Sequence, residues 1–362
     1  MSTVTQEKQT LYPTTYPDEQ EFWTGEKLFS FLGDCDVVMT SSIRNLGKTY
    51  AMFQHLRNHL EQGHNVCVSR YDRVELGVSV QDFLRYYEET DPETGEITRH
   101  YTKLFAHVRD TPYQCYQMEN GARVYFFAVK DSPNLKGLEI PNLWRWYIDE
   151  FVPLTYKVQT RKYNEFDHFR ELYHTLVRTN THLKVLMSAN VKKWMNPYYM
   201  GWGIPKFESG NILKITRGGL KLAVENVKPS QKMAERFVKA ERTMGTDEDD
   251  IQRMLHDYDN DPDCFIDPCE NGSDIGVQVK IKGNIYGIYS KNGRMYFTKE
   301  KLNTNKDRYL LTPIEYEENF VYSPVVVNTI EKNLEVNNCR FENRECEFHI
   351  RLGIWLSHTK KV

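Results

Sequence analysis

Residues 36–70 constrain this chain more than any other stretch. Asp36-Val37-Val38-Met39 is a short apolar run that reads as a buried strand, and Thr40 to Gly47 is a loop. Lys48 to about Glu61 carries Tyr50, Phe53, Leu56 and Leu60 at helical spacing, with Gly63 just past its end, and Asn65–Arg70 is a second strand. Strand, loop, helix, strand is the unit that builds parallel sheets, because parallel neighbours need a crossover between them. The loop-to-helix junction, Ser42-Ile43-Arg44-Asn45-Leu46-Gly47-Lys48-Thr49, matches G-x-x-x-x-G-K-[ST] at every fixed position except the first. In that pattern backbone N–H groups and a helix N-terminus face phosphates, the Lys reaches the outer ones, and the hydroxyl meets Mg²⁺. Ser in the first position keeps the bend small, at a cost only if φ there is positive. A bare Gly-Lys-Thr is common by chance, and the flanking strand and helix raise its weight.

A second group of residues suits the same chemistry. Trp146-Tyr147-Ile148-Asp149-Glu150 is an apolar run ending in two acids, in which Asp149 suits the metal shell and Glu150 the base that orients water. A solvated acidic turn is the commoner fate of a lone Asp-Glu, and the phosphate-loop pattern upstream favours the catalytic reading. Arg145 is odd inside a buried strand, so the strand is expected to begin at Trp146. Leu183–Ala189 reads as a further strand whose tip, Ser188-Ala189-Asn190, offers Asn190 as a polar sensor of the outer phosphate. Arg44, inside the loop, is placed to meet phosphate or an acid. Lys136 and Arg178 are candidates to act across a subunit boundary, Arg178 first because a guanidinium spreads over phosphate oxygens better than an ammonium.

Elsewhere the reading is coarser. Residues 1–20 form a polar arm, 25–32 a short helix, 79–89 a helix, and 113–129 a hairpin around Asn120-Gly121. Glu165–Arg178 and 228–244 read as helices, the latter capped by Ser230. A stretch with eight acids between Asp247 and Asp263 follows, so a domain boundary is set near 262, and 275–298 alternates like an antiparallel meander. The expected division is an N-terminal arm (1–20), a domain over 21–210, a helical and acidic linker over 211–262, and a smaller domain over 263–362. With 47 basic and 50 acidic residues the formal charge is −3, which argues against a protein that coats nucleic acid by bulk basicity. No run approaches the roughly 18 apolar residues of a membrane span, and no apolar leader is present at the N-terminus. The seven Cys are odd in number and suit reduced, intracellular thiols. The spacings of Cys264, Cys269, Cys339 and Cys346, with His349 and His358 nearby, favour plain thiols over a zinc site.

Four stretches in order carry a resemblance: SSIRNLGKTYAM, NVCVSRYDRVEL, EIPNLWRWYIDEF and LMSANVKKWMNPYYMGW, the last with Asn196-Pro197-Tyr198. Over roughly residues 35–205 the chain resembles the DNA-packaging motor ATPases (encapsidation proteins) of small protein-primed tailed phages, relatives of terminase large subunits. The resemblance implies an α/β fold: a three-layer phosphate-loop ATPase domain of the RecA-like type, plus a smaller β-rich α+β C-terminal domain that is RNase H-like. It implies ATP and Mg²⁺ as cofactors and double-stranded DNA, the portal (connector) of a procapsid and a packaging RNA as partners. It also implies a homo-oligomeric ring, expected to be a pentamer, in the host cytoplasm and docked transiently on the procapsid. Arg44, Lys48, Thr49, Asp149 and Glu150 fall on the nucleotide-site positions and Asn190 on the coupling-strand tip; Arg178 and Lys136 lie near trans-acting cations, across an alignment gap. The strands Gly276–Ile281 and Asn284–Ser290 carry no carboxylate, and Asp267, Asp274 and Glu300 read as turn acids, so no nuclease activity is expected. DNA contacts are expected from loop cations, Arg73 and Lys130 first. Two other readings stay open: another phosphate-loop nucleic-acid ATPase such as a helicase, and a non-hydrolysing capsid or RNA-binding adaptor.

Overall fold

The computed structural model describes residues 9–86, 89–90, 94, 97–99, 104–151, 165–190, 196–205, 207–247, 251, 272–335 and 338–358. These fall into two compact units, the second holding 196–205 and everything from 272 onward. The expected boundary near 262, most of the acidic stretch, and Cys264, Cys269 and Asp267 lie outside the described residues.

The first unit begins with β1 (Thr10–Pro13), α1 (Glu26–Phe29) running into a 3₁₀ turn, β2 (Val37–Ser41), α2 (Lys48–Glu61), β3 (Asn65–Arg70) and α3 (Arg73–Arg85). It continues through β4 (Glu89–Thr90), β5 (Ile97–Arg99), β6 (Phe105–Arg109), β7 (Gln114–Met118), β8 (Arg123–Ala128), a 3₁₀ stretch Val129–Leu135, β9 (Leu143–Asp149), α4 (Glu165–Val177) and β10 (Lys184–Ala189). After α5 (Pro197–Trp202), which groups with the second unit, come β11 (Asn211–Arg217), β12 (Leu220–Asn226) and α6 (Gln231–Thr243). Ten strands form one sheet in the order β1-β11-β12-β2-β10-β9-β3-β8-β7-β6. The run from β12 to β8 is parallel throughout. Its central members are mostly apolar and mostly buried on both faces, as parallel strands under helices must be, with polar residues gathered toward their ends.

The structure moves several sequence boundaries. Residues 211–226, expected within a helical and acidic linker, instead form the hairpin β11–β12, which extends the main sheet beside β2. Its turn, Gly218-Gly219, has both residues at positive φ, a hairpin signal the acid-rich sequence downstream obscured. The arm is tied down: β1 pairs with β11, Trp23 Nε1 donates to the buried Glu225 at 2.9 Å, and Tyr16 donates to the other carboxylate oxygen. Helix α3 starts at Arg73, not 79, with Asp72 as its N-cap; exposed Val74 and Val78 blurred the apolar period. Tyr50 is 63% exposed, and Ala51 and Met52 take the core face of α2 with Phe53, Leu56 and Leu60. Strand β9 begins at Leu143, and Arg145 lies within it, its Nε donating to His55 Nε2 at 3.1 Å.

The second unit holds β13 (Ser273–Ile281), β14 (Asn284–Lys291), β15 (Arg294–Lys299), β16 (Asp307–Leu310), β17 (Val321–Tyr322), α7 (Pro324–Glu335), β18 (Cys339–Phe341) and α8 (Arg344–His358). Its sheet runs β17-β16-β13-β14-β15-β18, with β13, β14 and β15 antiparallel and β16 and β17 parallel to β13. Apolar side chains of this sheet pack with Val327, Ile330, Ile350 and Ile354 from the two helices. Cys339 and Cys346 are buried free thiols, and burial pushes Cys339 up to about 12.

Asp274 and Glu300, read from sequence as ordinary turn acids, are not. Lys306 Nζ reaches Asp274 at 2.7 Å and both Glu300 oxygens at 3.0 Å, and its side chain is only 7% exposed. Gln278, wholly buried, donates to Glu300 at 2.6 Å. Breaking a buried pair costs more than making it gains, since a charge is left unpaired in low dielectric. Lys306→Met is therefore expected to lower unfolding free energy by about 3 kcal/mol in urea titrations. Asp274→Asn, at the exposed arm of the cluster, is expected to cost under about 1 kcal/mol.

Candidate active site

Strands β2, β10 and β9 are adjacent and parallel, so their C-terminal ends share one edge of the sheet. Ser41 pairs with Ala189, and Ser188 with Asp149. This register brings the loop after β2, the acids ending β9 and the tip of β10 around one cleft of about 970 Å³. Arg44, Lys48, Thr49, Asp149, Glu150 and Asn190 all line it, as do Asn45, Leu46 and Gly47. Ser42 and Ile43 sit beneath, buried.

The loop's backbone explains its sequence. Asn45 (φ 62°) and Gly47 (φ 86°) are its positive-φ residues, while Ser42 keeps a negative φ, so the missing first glycine costs no strain. Gly47 is favoured twice over: its φ is positive, and a Cβ there would stand 3.1 Å from Phe22 Cδ1, close enough that the ring would have to shift. Ser42 adds a function, because its Oγ accepts from Lys48 Nζ at 2.5 Å. Lys48 also donates to Ile43 O at 2.8 Å and to Asn190 Oδ1 at 2.9 Å. Burial pushes the Lys48 ammonium down to about 8, against the pull of Glu150 and Asp149.

Asp149 is held from both sides. Its Oδ1 accepts from Tyr147 OH at 2.7 Å and faces Thr49 Oγ1 at 3.4 Å; Tyr147 OH also contacts Ser188 Oγ at 2.7 Å. Its Oδ2 accepts two bonds from Arg70, Nε at 3.1 Å and Nη2 at 2.6 Å. A threonine hydroxyl opposite a carboxylate oxygen is the hard-oxygen set Mg²⁺ prefers, so these residues fit that ion. Glu150 sits at φ 50°, a region costly for a non-glycine residue and concentrated at functional sites. Its carboxylate accepts from the Asn190 N–H at 3.2 Å and from Asn190 Nδ2 at 3.0 Å, and burial raises its pKa.

The other sequence candidates lie apart from this cleft. Arg178 is exposed after α4, at the edge where β10 begins, and Asn190 ends the same strand at the other edge. Lys136 pairs with Glu171 at 2.9 Å. Lys130 pairs with Asp72 at 2.5 Å and Arg73 with Asp131 at 2.6 Å, two cross-linked ion pairs beyond the ends of β3 and β8. Sequence reasoning gave no role to Arg70, Tyr147 or Ser188, although all three lie in stretches that carry the resemblance. Arg70's further signal was a cation ending a strand that would neighbour the Asp-Glu strand.

Arg70 occupies one oxygen of Asp149 and leaves the other toward Thr49. Partners that orient a metal ligand in this way typically change metal affinity by about 10–100-fold when removed. Arg70→Ala is expected to raise the Mg²⁺ concentration that half-saturates Mg²⁺-dependent nucleotide binding by about tenfold or more. Binding measured without Mg²⁺ is expected to change little; an equal loss in both arms would show a general collapse of the cleft instead.

No model of a known protein family matches the chain, and no curated protein matches it in sequence. Solved structures do match in fold. The motor of the bacteriophage phi-29 viral genome packaging assembly is similar at 16% identity and TM-score 0.57, over 92% of this chain and 99% of that one. The phi-28 DNA packaging motor is similar at 16% identity and TM-score 0.58, over 95% of this chain and 100% of that one. The chain thus has, along nearly its whole length, a fold like that of phage DNA packaging motors.

Proposed function

We propose that the chain is the ATPase of a viral DNA packaging motor: it hydrolyses Mg²⁺·ATP and uses the cycle to move double-stranded DNA into a procapsid. The observation that carries this reading is the arrangement at one sheet edge of Lys48, Thr49, Asp149, Glu150 and Asn190, in a fold shared with packaging motors. Backbone N–H groups at the start of α2 and Lys48 hold the outer phosphates. Thr49 and Asp149 hold the metal ion, which when bound neutralises charge developing on the phosphates. Glu150 accepts the proton of the attacking water, and its raised pKa makes it a stronger base than a solvated glutamate. Asn190 bonds both Lys48 and Glu150, so a phosphate that draws Lys48 away also frees Asn190 to turn the base.

In this reading the chain acts as a ring, expected to be a pentamer, on the portal, with a packaging RNA as a further partner, in the host cytoplasm. Arg178, or Lys136, serves the active site of the neighbouring copy, since head-to-tail rings place each site at a subunit boundary. Arg73 and Lys130 are the proposed DNA contacts; Arg73 keeps 59% of its side chain exposed despite its partner, enough for transient phosphate contact. The second unit is proposed to be RNase H-like, on the strand order β15-β14-β13-β16-β17 with its three antiparallel and two parallel members. An ammonium, Lys306, between Asp274 and Glu300 disfavours a divalent ion there, which supports a unit without nuclease activity.

Glu150→Gln tests the assignment. It keeps the shape of the side chain and removes the base, so ATP binding is expected to persist while DNA-stimulated phosphate release falls by about a hundredfold or more. Hydrolysis at the wild-type rate would refute the role of Glu150. Strand separation of duplex DNA by the wild type would favour a helicase, and failure to bind ATP a non-hydrolysing adaptor.

A further inference from the structure

The cleft is larger than a phosphate site needs, and its outer part is built by residues that the proposed reaction does not use. Beyond Gly47 and Thr49 it is lined by Phe22, Tyr50 and one face of α6. Arg236, Lys239, Ala240 and Thr243 are spaced i, i+3, i+4 and i+7, so they form one stripe of that helix. Met233, Phe237 and Glu241 form the neighbouring, buried stripe. Arg236, Lys239 and Thr243 of the cleft-facing stripe are exposed and are not among the buried residues of the helix.

Arg236 is placed and not merely exposed. Its guanidinium carbon stands 4.0 Å from the centroid of the Phe22 ring. Phe22 in turn backs onto Gly47, and its neighbour Trp23 donates from the backbone N–H to Leu46 O at 2.8 Å. A flat cation is thus stacked on an aromatic ring that is itself braced against the phosphate loop. A guanidinium is planar and delocalised, has two faces, and stacks on π-systems better than an ammonium does. Phe22 takes one face.

We propose that this α6 face, with Tyr50, is the subsite for the nucleoside half of a bound nucleotide, and that the base stacks on the free face of Arg236. The proposal rests on the phosphate-loop reading: a triphosphate anchored at Gly47–Thr49 must send its nucleoside outward along the cleft. There it meets Tyr50 and the α6 stripe. Lys239, one turn from Arg236 on the same stripe, also lines the cleft, and in this scheme its ammonium serves the anionic link between sugar and phosphates. Arg236 is a specificity-determining residue in this scheme: it distinguishes a nucleotide from a bare polyphosphate.

The test compares ATP with inorganic tripolyphosphate, which carries the phosphates and no nucleoside, by calorimetric titration of the full chain with Mg²⁺. The wild type is expected to bind ATP more tightly than tripolyphosphate. Arg236→Ala is expected to weaken ATP by about threefold to thirtyfold and to leave tripolyphosphate within about twofold. Arg236→Lys, which keeps the charge and loses the plane, is expected to weaken ATP in the same direction. ATP affinity unchanged in Arg236→Ala would overturn the proposal, and so would equal losses for both ligands, which would make Arg236 a phosphate contact. A wild type that binds ATP and tripolyphosphate equally would overturn the subsite alone; one that binds neither would overturn the phosphate-loop reading as well.

Discussion

Four charges taken out of water at the tips of neighbouring strands hold this site together. Arg70 ends β3, Asp149 ends β9 with Glu150 just beyond it, and Lys48 opens α2 after the loop that follows β2. Each such ion costs several kcal/mol to desolvate, and only close, well-shaped pairing returns it. Arg70 meets that demand with two bonds to one oxygen of Asp149. The pairing exists only in one register: Ser188 beside Asp149, and Ser69 beside Ile148 so that Arg70 lies next to Asp149. A slip of one residue would turn each of these side chains to the other face of the sheet. The apolar strand interiors therefore serve the charges at their ends, and the charges in turn penalise any other alignment.

How much of this the sequence disclosed follows from where the signals are local. The strand, loop and helix around Gly47 and Lys48 were legible because they are contiguous, and each obeys a rule visible within a dozen residues. Asp149, Glu150 and Asn190 were legible as strand-end polar residues. Arg70 was not, since its meaning comes from β3 lying beside β9, a long-range fact no window contains. Tyr147 was hidden differently: inside an apolar run it looks like core, and it is core, yet its hydroxyl alone reaches both Asp149 and Ser188. The hairpin β11–β12 failed for a third reason. Its Gly218-Gly219 turn is a fair signal, but strong charge patterning downstream suggested a linker, and the pairing of β12 with β2 and of β11 with β1 is long-range.

Two buried carboxylate clusters among the described residues, one in each unit, differ in whether their counter-ion can be replaced. In the first unit Asp149 and Glu150 face a lysine that hydrogen bonds hold in place, with an open cleft before it. In the second, Glu300 closes on Lys306, with Gln278 and Tyr289 completing its partners. Both solve the problem of burying acids, but only the first leaves the counter-ion replaceable. Lys48 is bonded to neutral groups, Ser42, Ile43 and Asn190, and burial lowers its pKa to about 8, so its charge is under-compensated. An anion entering the cleft gives that ammonium a better partner than it has. Asn190 then loses one of its two contacts and keeps the other, to Glu150, a residue already strained at φ 50°. The positive φ of Glu150, an under-paired cation and one amide that touches both residues are the features on which the proposed coupling of phosphate binding to the position of Glu150 rests.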